Sequence, residues 1–157
     1  MKQLFLKFKL PFQFFKPASP AVNSLEGILT QPEQAFFIAR NRQMIGRWAE
    51  DLASRFLSSQ GLRIVERNVR ERFSELDLVC RDGRELVFVE VRCRRKNGIM
   101  SAEETIGRQK WQRLCRGAEL YTLREKWKGS WRIDLVSVDV DNDTWHLDWL
   151  RYLEMGE

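Results

Sequence analysis

Ser74-Glu75-Leu76-Asp77-Leu78-Val79-Cys80-Arg81-Asp82-Gly83-Arg84-Glu85-Leu86-Val87-Phe88-Val89-Glu90-Val91-Arg92 reads as two strands joined by a tight turn. Apolar residues dominate both runs, and Asp82-Gly83 is a strong hairpin signal because both residues tolerate positive φ. Yet each strand carries a carboxylate where an apolar residue is expected: Asp77 within Leu-Asp-Leu-Val, and Glu90 within Val-Phe-Val-Glu-Val. Burying such a charge alone costs several kcal/mol or forces a large pKa shift. Two intrusions on adjacent strands imply that something cationic lies between them. A divalent metal fits, because hard cations take oxygen ligands and often use only one or two carboxylates.

The period of two supports a shared site. Leu86, Phe88, Glu90 and Arg92 fall on one face of their strand, with Val87, Val89 and Val91 on the other. On the partner strand Asp77 is expected to share a face with Glu75 and Val79. An antiparallel hairpin then brings Asp77 and Glu90 together, with the Arg92 guanidinium beside them. That set can hold a metal and contact a phosphate. The plainer alternative is a polar strand end stabilised by a structural Glu–Arg pair.

Working outward, Ile45, Trp48, Ala49, Leu52, Ala53, Phe56 and Leu57 form a stripe at helical spacing, and Gly61 fits a C-terminal stop. Glu50 lies at the border of that stripe, able to reach a strand end; Asp51 is expected on the surface. A strand is expected near 62–68, the hairpin over 74–92 and a helix over roughly 103–126. The apolar side of that helix holds Ile106, Trp111, Leu114, Ala118 and Tyr121, with Lys110 flanking it. Strands near 131–138 and 145–150 follow. A strand, helix and strand in succession favour a parallel crossover, so the order αβββαβ predicts a mixed sheet flanked by helices. Asp134 interrupts the apolar run 133–138 and is expected to be structural. Trp127, Trp131, Trp145 and Trp149 are expected in the core or at its rim.

Asp77, Glu90 and a following basic residue across a hairpin resemble the PD-(D/E)XK nuclease core. More narrowly the chain resembles the YraN-like family of bacterial proteins, which is related to archaeal Holliday-junction resolvases. The resemblance runs in order through Gly46-Arg47-Trp48-Ala49-Glu50-Asp51-Leu52-Ala53, then Gly61-Leu62 to Glu66-Arg67-Asn68-Val69-Arg70. It continues through 74–79, 87–92, Lys110 and Arg132-Ile133-Asp134-Leu135-Val136. It implies a restriction-endonuclease-like α/β fold with the αβββαβ core. It further implies a metal-dependent endonuclease that uses Mg²⁺ or Mn²⁺ to hydrolyse DNA phosphodiesters, branched DNA among its possible substrates. Asp77 and Glu90 would ligate the metal, with Glu50 completing the set as a helix glutamate does in the related resolvases, which work as dimers. Arg92 and Lys110 would neutralise the phosphate.

Two residues depart from the pattern. Ser74 stands where the family usually has Gly, and Arg92 where the superfamily usually has Lys. A Lys can lose its proton, whereas an Arg keeps its charge and instead grips phosphate with a planar fork. The alternative to an enzyme is therefore a DNA-binding or protein-interaction module on the same fold, with chemistry lost.

Composition bounds the rest. The 157 residues, 43% of them hydrophobic, suit one soluble domain. Three cysteines without a C-x-x-C pattern point to a reducing cytoplasm. The single histidine, His146, argues against His-rich zinc sites and a Ser-His-Asp triad. No glycine-rich nucleotide loop is present. Most of the net charge of +5 comes from the first 45 residues, so bulk charge is weak support for a nucleic-acid partner. Local clustering is better: Arg92, Arg94, Arg95 and Lys96 follow Glu90, and these with Lys110 are the candidate phosphate contacts. Residues 1–43, basic and rich in Phe, are expected to be an extension without stable order, and 44–157 the nuclease-like domain. The extension has no run near the ~20 apolar residues of a membrane span, and its lysines break any signal-peptide core.

Overall fold

A computed structural model describes residues 15–17, 23–72, 74–95 and 106–155. Its elements run β1 (Phe15–Pro17), β2 (Asn23–Ile28), α1 (Gln31–Ile38), α2 (Arg42–Ser59), β3 (Arg63–Glu71) and β4 (Ser74–Asp82). They continue with β5 (Glu85–Arg95), α3 (Arg108–Arg124), β6 (Trp131–Asp141), β7 (Thr144–Leu150) and β8 (Leu153–Met155). A six-stranded sheet has the order β2-β7-β6-β5-β4-β3, and β1 pairs separately with β8. The β5–β6 pair is parallel, joined through α3; the other pairs of the large sheet are antiparallel. This is a mixed sheet between helices, with α2-β3-β4-β5-α3-β6 reproducing the expected restriction-endonuclease-like αβββαβ core.

The alternation read from β5 governs the layers. Val87 and Val89 pack with Trp48, Ala49, Leu52, Ala53, Phe56 and Leu57 of α2. Leu86 and Phe88 pack with Leu114, Ala118 and Tyr121 of α3 on the opposite face. The hairpin turns one residue later than expected. Asp82 pairs with Glu85, so the two-residue loop is Gly83-Arg84, and only Gly83 takes a positive φ, 57°. Glycine at the first loop position matches the twist that type II′ turns impart.

Two other boundaries move. Helix α3 begins at Arg108 with Gly107 as its N-cap, so buried Ile106 precedes the helix; 103–105 lie outside the described residues. Residues 23–43, placed by sequence in the extension, contain two elements that pack on the domain. β2 pairs along β7, and Leu29 and Phe37 join the core on the α2 side. A capping box between Thr30 and Glu33 starts α1, and Glu33 also accepts from Trp48 Nε1 of α2 at 2.9 Å. Among the described residues no helix is long and apolar enough to cross a membrane.

Buried Asp134 is structural, as expected, but its partner lies only two residues away. Its carboxylate accepts from Arg132 Nε at 3.0 Å, from Trp149 Nε1 at 3.0 Å and from the Tyr152 backbone at 2.9 Å. Arg132 also reaches Glu85 at 2.6 Å and Asp82 at 2.9 Å. Burial disfavours the Arg132 charge, but these three carboxylates outweigh it and raise its pKa.

Candidate active site

The regular pairing of β4 fails at Asp77. The β4–β5 ladder runs from Asp82↔Glu85 to Leu78↔Val89 and stops there. The β3–β4 ladder skips the Asn68–Asp77 position, where Asn68 has φ 52°. Asn is among the few residues that accept this left-handed conformation readily. Alternation breaks at the same point: Leu76 and Val79 both join the α3-side core, while Leu78 and Cys80 face α2. Glu75 therefore does not share the face of Val79 as the simple period predicts. The distortion frees the Asp77 carboxylate to accept the backbone N–H of Val91, with Oδ2 at 2.8 Å.

Glu90 is the next residue of β5 past the end of that ladder, and it is 2% exposed. It faces α3, and its Oε1 lies 3.1 Å from Lys110 Nζ and 3.1 Å from Arg92 Nε. The Arg92 contact is an ion pair without hydrogen-bond alignment, and Glu90 Oε2 is buried with no hydrogen-bond partner among the described residues. The Asp77 carboxyl is pushed up to about 7, first by burial and second by the charge of Glu90, with Glu50 adding to it. The Val91 N–H and the Lys110 ammonium oppose that rise. Asp77 and Glu90 thus sit as a close pair of acids, which neighbouring cations only partly compensate.

Glu50 comes to the same place from α2. Asp77, Glu90 and Glu50 line one open cleft of about 730 Å³, together with Arg92, Arg94, Arg95 and Lys110. Glu50 Oε2 accepts from Asn68 Nδ2 at 3.0 Å. Its neighbour Asp51 lies outside the cleft, paired with Arg67 at 2.6 Å. Among the described residues no three Asp, Glu, His or Cys side chains are gathered into a ready ligand cluster. A metal would accordingly rest on Asp77 and on Glu90, whose Oε2 is an unused buried oxygen donor. Glu50 would act from beside them through Asn68 and water. This all-oxygen set suits Mg²⁺ or Mn²⁺.

The expected phosphate contacts divide. Arg92 and Lys110 flank the acidic pair. Arg94 is held by Asp139 at 2.7 Å, and Arg95 stacks over Phe37 with 5.7 Å to the ring centroid. Lys96 lies outside the described residues. Two cleft residues, Arg40 and Arg42, escape a sequence reading because they precede the helical stripe and belong to no motif. Asn68 was legible in principle, since an Asn inside a strand invites a left-handed distortion. Burial pushes the thiols of Cys80, Cys93 and Cys115 up to about 12, which disfavours their thiolate forms.

The stretch that builds this cleft also identifies the chain's relatives. A protein-family model described as "Uncharacterised protein family UPF0102" matches residues 49–138, from the second turn of α2 through most of β6. The chain belongs to this family. A UPF0102 protein of Vibrio cholerae serotype O1 is 39% identical over 114 residues, covering 71% of this chain and 92% of its own length. One from Dechloromonas aromatica is 43% identical over 107 residues, covering 68% and 85%. One from Thermotoga petrophila is 43% identical over 90 residues, covering 57% and 82%. Glu50, Asp77, Glu90, Arg92 and Lys110 all fall inside the UPF0102 match, whereas Arg40 and Arg42 fall before it.

Proposed function

We propose that this protein binds nucleic acid, DNA foremost, and hydrolyses its phosphodiester backbone with Mg²⁺ or Mn²⁺. The supporting observation is the buried Glu90 carboxylate: one oxygen is shared by Lys110 and Arg92, and the other has no hydrogen-bond partner among the described residues, in the cleft that Asp77 also lines. A fold gains nothing from leaving a buried anionic oxygen unpaired next to a second acid. A site awaiting a cation gains a ligand. When bound, the ion would polarise the phosphate and lower the pKa of a water.

The chain's own residues would do the rest. Asp77 and Glu90 hold the cation, and the Val91 N–H fixes the Asp77 orientation. Lys110 and Arg92 offset the negative charge that develops on the phosphoryl oxygens. Arg92 keeps its proton, so its part is to clamp a phosphate oxygen rather than to act as a base. Glu50 orients solvent at the mouth of the cleft.

A binding module without chemistry is the second reading, and one observation favours it. Lys110 and Arg92 already compensate Glu90 without a metal. Incubating branched, linear and single-stranded DNA with Mg²⁺ or Mn²⁺ separates the two. Cleavage by wild type that is lost in Glu90→Ala supports the enzyme. Binding with no cleavage on any substrate supports the module.

A further inference from the structure

We propose that the corner between α1 and α2 is a second wall of the nucleic-acid cleft, on which Arg40 and Arg42 contact phosphates of the entering strand. The inference rests on the nucleic-acid reading above and extends it to a segment that precedes the family match. Both arginines are exposed and line the same cleft as Glu50, Asp77 and Glu90. Among the described residues six basic side chains line this cleft against three acidic ones, an excess suited to a polyanion.

Pairing separates Arg40 and Arg42 from the other arginines of the cleft. Arg92 is engaged by Glu90 and Arg94 by Asp139, and Arg95 stacks on Phe37. Neither Arg40 nor Arg42 has an ion pair or side-chain hydrogen bond among the described residues. Their guanidinium forks remain available for bidentate contact with phosphate.

Local structure gives Arg42 no other reason: it opens an 18-residue helix whose first turn contains no acid, so its charge opposes the helix dipole, and fold stability would be served as well or better by a neutral residue. Arg40 follows the C-cap of α1, where a cation suits the dipole, yet it sits at φ 51°, a left-handed conformation that Gly or Asn adopts more readily. The Phe37–Arg95 stack meanwhile ties the end of α1 to the end of β5, which joins this corner to the basic strand end. Cations contributed by two elements of one cleft suit a repeating anion, whereas a lone phosphate needs fewer.

The test is metal-free binding of a labelled duplex and a labelled single strand to the full chain, followed by fluorescence anisotropy over a range of salt. Arg40→Ala/Arg42→Ala is compared with Arg63→Ala/Arg84→Ala, which removes the same charge from exposed positions at the far, hairpin end of the sheet. The corner variant should bind about tenfold more weakly. Its log–log salt slope should fall by about 1.8 for duplex, at about 0.9 for each phosphate no longer neutralised. The hairpin-end variant should match wild type. Equal weakening in both variants would mean bulk charge alone and overturn the proposal. An unchanged corner variant, beside a weakened Arg92→Ala, would overturn it while leaving the nucleic-acid reading intact. No binding by wild type would overturn both. Arg40→Gln/Arg42→Gln provides a second version should the alanine pair lower the melting temperature.

Discussion

Replacing Asp77 by Asn should change how stability depends on pH. In the folded chain, burial and the neighbouring Glu90 raise the Asp77 carboxyl from 3.8 to about 7. The folded state therefore holds this proton more tightly than the unfolded chain. The stability that this contributes is complete below pH 3.8 and is lost as pH rises through about 7. At about 1.4 kcal/mol per unit, a shift of about three units sets a ceiling of about 4 kcal/mol on the loss, reduced by relaxation around the coupled pair. The asparagine introduced by this substitution can still accept the Val91 N–H but carries no titrating proton. Urea unfolding at a series of pH values in metal-free buffer measures the difference. Wild type should lose several kcal/mol relative to Asp77→Asn between pH 4 and 8, and the variant should be the more stable form at the alkaline end. Mg²⁺ should recover part of that loss in wild type, by binding the native state alone, and little in the variant. A wild-type-minus-variant difference that stays flat with pH would refute the account of Asp77 and Glu90 as a close, undercompensated pair.

Other substitutions probe the scaffold. Asp134→Ala should destabilise by about 1–3 kcal/mol for each donor it strands, Trp149 Nε1 and the Tyr152 N–H, while Asp82 and Glu85 still pair with Arg132. Denaturant titration measures this, and nucleic-acid affinity at a temperature where the variant is folded should be unaffected. Gly117→Ala should lower the melting temperature despite the better helix former, since its Cβ would strike Ser74 Oγ and come within 3.1 Å of Leu76. Ser74→Ala should raise stability by up to about 1 kcal/mol, because the Ser74 hydroxyl is buried without a partner among the described residues. His146→Gln should cost less than about 1 kcal/mol at this partly exposed site, and only at acid pH. Burial lowers the His146 pKa, but Asp148 and Glu26 together outweigh it and raise it, so its contribution is full below 6.5 and fades as pH rises through the folded value; denaturant midpoints at pH 5.5 and 8.5 measure it.

Much of the fold is visible in the sequence because its elements have strong local signatures. The stripe from Trp48 to Leu57 has one helical period, and the valines of 87–91 alternate cleanly with Phe88. A strand, helix and strand in succession favour a parallel return, and β5 and β6 pair that way. The acidic pair is equally legible, since Asp77 and Glu90 break apolar runs on strands that a tight turn forces side by side. What the sequence could not supply was the irregular part. Asn68 carries a local cue for its left-handed φ, but the end of the ladder at Leu78↔Val89 and the switch of Leu76 to the α3 face depend on strands and helices packing together, and no local pattern encodes that. Lys110 and Glu90 lie on different elements, so only the crossover of α3 decides that the ammonium ends 3.1 Å from the carboxylate. The placement of 23–43 follows the same rule. β2 has little pattern of its own, and it becomes a strand because β7 offers it an open edge. Residue identity fixes which groups carry charge and which must be buried. Long-range packing fixes which charges meet, because electrostatic pairing depends on distance through space rather than along the chain.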